Sequence, residues 1–186
     1  KKVIGVRTTP SGLDREGQPT DVYQETTDLV ARVVVLAEGS RGPLSQAWRE
    51  WQGVGSPNPQ LLALGVKEVW EVTKPLDRVI HTLGWPLPSS AFGGSWCYPM
   101  GPNQVSIGLV VGLDYHDASF DVHESLQRMK LHPLFKETLT GGTMLEWGAK
   151  TIPEGGFHSL PERLFGDGVV MIGDTAGFVD VPSLKG

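Results

Sequence analysis

The sequence predicts an α+β protein in which an antiparallel-sheet domain interrupts a partial Rossmann-like domain. Three features predict it. Two short apolar, β-branched runs, residues 33–36 and 168–172, each lead into a glycine turn, Ala37-Glu38-Gly39 and Gly173-Asp174, as strands buried in a parallel sheet do. The two turns lie about 135 positions apart, from Gly39 to Asp174, the spacing left when a second domain is inserted between two strands of one sheet. Between them, strand-like segments follow one another across short turns, which favours antiparallel neighbours. The expected boundaries are 1–58 and 164–186 for the interrupted domain and 59–163 for the intervening one.

Each element has its own signal. Val3, Ile4 and Val6, then a polar Pro/Gly-rich turn, then Val22-Tyr23 predict a hairpin. Residues 33–36 predict a strand buried on both faces. Leu44, Ala47, Trp48 and Trp51 recur at spacings of three and four, so residues 43–51 predict an amphipathic helix starting near Ser40 or Gly42. The Gly/Pro/Asn/Ser cluster at 53–59 reads as a linker. Residues 61–72, 78–83, 92–100 and 104–113 predict adjacent antiparallel strands. Phe120, His123, Leu126 and Met129 give a helix that His132-Pro133 ends or kinks. Residues 143–152 return to strand character, and 168–172 predict a short buried strand.

Composition removes several classes of function. With 16 basic and 21 acidic side chains the net charge is -5, and no Lys/Arg cluster is longer than Lys1-Lys2; a phosphate-backbone footprint is missing, so nucleic acid is not an expected partner. Cys97 is the one cysteine, which excludes a disulfide framework and any site of several thiolates within the chain. His116, His123 and His132 have no carboxylate at ligand spacing, so no metal is expected. No apolar run reaches the roughly 18 to 20 residues that cross a bilayer, so a membrane role would be peripheral. The chain starts at Lys1 and ends at Gly186 just after what reads as a helix opening; it is expected to be an excerpt.

The chemistry lies at the turns. In VVMIGDTAGFVDVPSLKG an apolar strand runs into Gly173, Asp174, small residues, Gly177 and then Pro182. A carboxylate at a strand tip can accept hydrogen bonds from ribityl or ribose hydroxyls, and small residues after it let backbone N–H groups approach a pyrophosphate. Gly39 ends the other such strand, where a glycine permits positive φ or close approach to a ligand. A strand followed by a Gly-Asp turn is also common without any cofactor, and Glu38 and Arg41 read as solvated loop residues.

The combination AEGSRGPLSQ, LGVKEVWEV, HTLGWPL, FGGSWCYPM, VSIGLVVGLDY and the whole of residues 131–186 resembles the electron-transfer flavoprotein:ubiquinone oxidoreductase family, in order and from about Gly5 onward. The resemblance implies an FAD-binding domain with a quinone- or substrate-binding domain inserted into it, and an iron–sulfur cluster held outside this stretch. Electrons would pass from reduced electron-transfer flavoprotein to ubiquinone or menaquinone, at the mitochondrial inner membrane or the cytoplasmic face of a bacterial one. Gly39, Gly173, Asp174 and Gly177 would then hold FAD. Gly93 and Gly94 match paired glycines that line the quinone headgroup in the family, with Phe92 and Trp96 as aromatic walls. No residue is assigned a catalytic role, because the reaction is electron transfer. His81 and Trp85 of HTLGWPL are weaker candidates, for proton delivery and for an isoprenoid channel or lipid interface. Glu154-Gly155-Gly156-Phe157 implies a connection passing close to the flavin.

Two rival readings stay open. Asp174-Thr175-Ala176 stands where mitochondrial family members tend to have Cys-Ser-Pro, and Gly-Asp-Ala-Gly forms are typical of related reductases that act on isoprenoid chains, so a geranylgeranyl-reductase-like or hydroxylase-like flavoprotein is the first rival. A third reading is a β-rich ligand-binding module without a cofactor of its own. Independently of these, Gly93-Gly94 reads from sequence alone as a β-bulge or turn within the antiparallel sheet, with Phe92 and Trp96 in the core.

Overall fold

Period-two patterning over residues 62–112 builds the largest element of the computed structural model, which describes residues 1–181; Pro182 and the rest of the terminal motif lie outside the described residues. In chain order the elements are β1 (Gly5–Arg7), β2 (Ser11–Leu13), β3 (Pro19–Gln24), β4 (Asp28–Val30), β5 (Val34–Leu36), α1 (Pro43–Gln52), β6 (Leu62–Glu71), β7 (Ile80–Leu83), β8 (Gly93–Gly101), β9 (Gln104–Gly112), α2 (Val122–Lys130), α3 (Pro133–Leu139), β10 (Thr143–Pro153), β11 (Phe165–Gly166) and β12 (Val169–Met171). Five strands form an antiparallel sheet in the order β10-β6-β9-β8-β7. A second sheet, β11-β12-β5, contains the parallel pair β12–β5.

The five-stranded sheet has two unlike faces. Val105, Ile107, Leu109 and Val111 of β9 are fully buried against Leu126 and Met129 of α2 and Phe135 of α3. Each such side chain contributes roughly 1.5 to 3 kcal/mol by leaving water. The helices fit because Val122, Leu126 and Met129 recur on one side of α2. Asp121 caps its start by accepting from the Glu124 N–H at 2.9 Å. Pro133 then opens α3 at its first helical position, with His132 Nδ1 accepting from the Leu134 N–H. On the opposite face the Trp96 indole lies flat over Gly108, where any Cβ would collide with the ring, and donates to Ser106 Oγ at 3.2 Å.

Several expectations change. The amino-terminal hairpin is two separate ladders, β2–β3 and β1–β4, because the polar tip folds on itself through Asp14, whose carboxylate accepts from the N–H groups of Glu16 and Gln18. Residues 33–36 are not buried on both faces: Leu36 packs with Trp48 and Met171, whereas Val33 and Val35 are more than half exposed. One side of that sheet carries α1 and, among the described residues, nothing covers the other. Helix α3 and strand β11 have no counterpart in the sequence reading. A seven-residue helix and a two-residue strand are too short for periodicity to register.

One buried charge sits inside the sheet–helix layer. Glu68 of β6 is only 2% exposed. Its carboxylate accepts from Lys130 Nζ at 2.7 and 2.9 Å, from Trp70 Nε1 at 2.7 Å and from Gln127 Nε2 at 2.9 Å. Burial alone would raise its pKa; the three donors outweigh burial and hold it below its ordinary value of 4.5. A depressed carboxyl pKa means stability that is present above 4.5 and lost as the pH falls through the folded value. Lys130→Met strands the carboxylate, so urea unfolding near neutral pH is expected to show a loss of about 3 to 5 kcal/mol. That deficit is expected to shrink in acid, where Glu68 takes up a proton; a loss that stays constant down to pH values well below 4.5 would contradict this role.

Candidate functional site

Parallel pairing places the two strand tips side by side. Val34, Val35 and Leu36 of β5 stand opposite Val169, Val170 and Met171 of β12, and the Ile172 N–H continues the ladder by donating to the Leu36 carbonyl at 3.1 Å. Beyond the ladder, Thr175 Oγ1 donates to the Gly39 carbonyl at 2.9 Å. Gly173–Ala176 then form a single 3₁₀ turn closed by Gly177 at φ 84°, whose N–H donates to the Asp174 carbonyl. Gly39, Asp174, Thr175 and Gly177 thus line one groove of about 160 Å³, together with Ser40, Arg41 and Pro153.

The groove has the character a phosphate or ring edge requires. Gly39 in the groove, and Gly173, which stands next to Asp174 but does not line the groove, have φ of 81° and 59°, a region side chains rarely enter. A Cβ at Gly173 would meet nothing within 4 Å, so the backbone there is bare to an approaching group. Asp174 is half-buried at the tip. Glu38 does something the sequence reading did not assign. Its carboxylate accepts from the Leu44 and Ser45 N–H groups, at 3.1 and 2.7 Å, and so satisfies the first turn of α1, where Gly42 offers no side-chain cap. The start of α1 is therefore occupied by the protein's own anion.

Phe92, Gly93, Gly94 and Trp96 come together at a second cavity, of about 390 Å³, on the helix-free face of the five-stranded sheet. His81, Leu83, Ser95, Val110, Glu154 and Val181 complete its wall. Gly93 and Gly94 are not a bulge: they stand in regular register opposite Val111 and Val110, and the irregularity in this ladder lies at residues 99–101. Nor are the aromatics core residues, since Phe92 is 57% exposed and Trp96 half-buried. The reason for glycine at 94 is strand packing, because a Cβ there would collide with the Thr82 carbonyl of β7. Trp85 anchors the loop after β7 with its ring 5.0 Å from that of His132.

Glu154, Val110, Leu83 and Val181 are cavity residues that the sequence reading did not place there. A carboxylate directly after an apolar strand end, before two glycines, was the signal available for Glu154. The two sites are contiguous in the chain: Pro153 lines the strand-tip groove and Glu154 the sheet cavity. Consecutive Cα atoms are about 3.8 Å apart, so the polypeptide itself bridges the two.

Residues 62–152 match the family model described as ETF-QO, ubiquinone-binding. The chain is 42% identical over 192 residues to the mitochondrial electron transfer flavoprotein-ubiquinone oxidoreductase of Arabidopsis thaliana, covering 100% of this chain and 30% of that protein. The corresponding human protein is 37% identical over 191 residues, covering 99% and 31%. The chain thus spans about a third of the length of these relatives. Among solved structures it is similar to a geranylgeranyl bacteriochlorophyll reductase-like protein from Thermoplasma acidophilum (TM-score 0.63, 20% identity, 84% of this chain and 37% of that one). It is also similar to a myxobacterial chondrochloren halogenase of the FAD-dependent type (TM-score 0.60, 22% identity, 97% and 38%). At such identities these two show a shared fold.

The hydrogen bond from Thr175 to Gly39 is a side-chain tie between the strand tips. Thr175→Val is expected to lower stability by about 1 kcal/mol, read as a shifted urea midpoint, with faster hydrogen exchange in the turns after β5 and β12. Exchange unchanged at both turns would show that the backbone ladder alone holds them.

Proposed function

Since the chain belongs to the electron transfer flavoprotein-ubiquinone oxidoreductase family, we propose that it forms the quinone-binding part, and the adjoining edges of the flavin-binding part, of an enzyme that passes electrons from reduced electron-transfer flavoprotein through FAD to ubiquinone. The observation that carries this reading is the cavity at Phe92, Gly93, Gly94 and Trp96, which lies chiefly within the stretch matching the ubiquinone-binding model. Its walls are mostly apolar side chains and strand backbone, with His81, Ser95 and Glu154 as the polar groups, suited to a planar ring with polar oxygens at its ends. The fold shared with reductases and halogenases does not separate the rival flavoenzyme readings; identities of 37–42% to quinone oxidoreductases favour this one.

In this reading residues 59–163 are inserted into the flavin-binding domain, and the parallel β5–β12 pair is the seam. Gly39, Gly173, Asp174 and Gly177 hold FAD: the glycines let the backbone approach it, and Asp174 accepts hydrogen bonds from its hydroxyls. Bound there, FAD supplies the ring that takes electrons up and passes them on. The protein's part is to hold the two redox partners on either side of residues 153–154 and to keep bulk water from the gap between them.

The cluster of the full-length protein belongs outside this chain. Cys97 is fully buried, and burial pushes its thiol up to about 11, so it offers no thiolate. No helix among the described residues is long and apolar enough to cross a membrane. Leu83 and Phe92 on the cavity wall are exposed, which supports peripheral contact with a lipid surface from which a quinone enters. The relatives' names say mitochondrial; the membrane in this reading is the mitochondrial inner one, or the cytoplasmic face of a bacterial inner membrane where menaquinone is the alternative acceptor.

A blocking substitution tests the assignment, and Val110 suits it better than Gly94, where any side chain would first push β7 away. Val110→Phe in the full-length enzyme is expected to lower kcat/KM for ubiquinone by about tenfold or more, the factor that an overpacking cost above roughly 1.4 kcal/mol gives. Flavin absorbance and its reduction by electron-transfer flavoprotein are expected to stay normal. Unchanged quinone kinetics would remove the quinone from this cavity.

A further inference from the structure

Among the described residues the sheet cavity contains one carboxylate, that of Glu154, and its Oε2 has no hydrogen-bond partner. Glu154 is fixed at the end of β10: its N–H donates to the Leu61 carbonyl at 2.7 Å, Pro153 before it is fully buried, and the next N–H, of Gly155, donates to Gln60 Oε1 at 2.7 Å. Glu154 Oε2 is buried, yet among the described residues no donor reaches it. Buried polar atoms are nearly always paired, and an orphan on a cavity wall calls for a ligand to complete it. Among the described residues the charged and titratable inventory of the wall is short: His81 on β7 is its one other ionisable side chain, and no Lys or Arg lines it. A negative charge on Glu154 therefore has no counter-ion among them. Burial pushes this carboxyl above its ordinary range, towards the neutral, proton-bearing form.

We infer that Glu154 is a catalytic residue that hands a proton to one oxygen of the bound quinone as it is reduced. The inference rests on the quinone occupying this cavity. Two electrons reach the quinone from the reduced flavin, the O–H bond of the Glu154 carboxyl breaks, and a new O–H bond forms on the quinone oxygen. The carboxylate left behind takes a proton from water through the cavity mouth, and the second quinone oxygen takes its proton from water. One quinone, two electrons and two protons thus give one quinol, with Glu154 restored. The acid lies one residue from Pro153 of the strand-tip groove, where electron arrival and proton delivery can coincide, and general acids so placed contribute about 100-fold or more in rate.

The test uses the full-length holoenzyme with reduced electron-transfer flavoprotein as donor and two acceptors, ubiquinone, which needs protons, and hexacyanoferrate(III), which takes an electron and none. Glu154→Gln keeps the shape and removes the acid. It is expected to cut kcat for ubiquinone about 100-fold with little change in KM, leaving hexacyanoferrate reduction and flavin absorbance as in the wild type. Glu154→Asp is expected to recover part of the lost quinone rate, and its ratio of the two acceptor rates carries the test should the Gln variant not fold. Equal losses with both acceptors would overturn the inference, since Glu154 would then support the flavin or the fold. Unchanged ubiquinone turnover would overturn it too. If Val110→Phe still blocks ubiquinone in that case, the quinone site stands and only the acid is wrong; if neither variant affects ubiquinone, the site itself is wrong.

Discussion

Three parallel residue pairs between β5 and β12 are the constraint on which the rest of the structure depends. A parallel pair cannot be closed by a tight turn and requires a crossover. Here the crossover includes α1, the whole five-stranded sheet and its helices. Because the chain must leave at Leu36 and return at Val169 in register, both ends of the long excursion are drawn to one place. Gly39 and Asp174 line a single groove as a result, and the end of β10 comes back past it.

Sidedness of the large sheet does the remaining work. Helices α2 and α3 take one face, helped by Glu68, whose charge is met by Lys130 from α2. The other face is left to Trp96, spread over Gly108, and to the cavity beside it. Had the strands carried bulky side chains at 93, 94 and 108, this face would have neither close β7–β8 pairing nor room for the indole. The glycines therefore act first on sheet packing, and the cavity is what that packing leaves open.

Much of this was legible in the sequence for definite reasons. Strands β6, β8, β9 and β10 each span nine or more residues, long enough for alternation to show, and the strand tips carried glycine punctuation that pairing then brought together. Helix α1 was readable from Leu44, Trp48 and Trp51, although its cap, Glu38, was not, because that carboxylate reaches forward six and seven residues across a turn. The exposure of Val35 was hidden because β-branched runs look alike whether one face or two are covered. The role of Glu154 was hidden for a similar reason: an orphaned oxygen is a property of what surrounds it in space, and Val110 and Val181 lie 44 and 27 positions away.

In the function proposed above, the quinone sits on the helix-free face, between the paired glycines and the end of β10. A photoreactive ubiquinone analogue, cross-linked to the full-length enzyme and mapped by peptide mass spectrometry, addresses it directly. Labels are expected on the segments containing residues 81–83, 92–96 and 110, displaced by excess ubiquinone. Displaceable labels confined to the groove between α2 and α3, around Trp70 and Lys136, would contradict it.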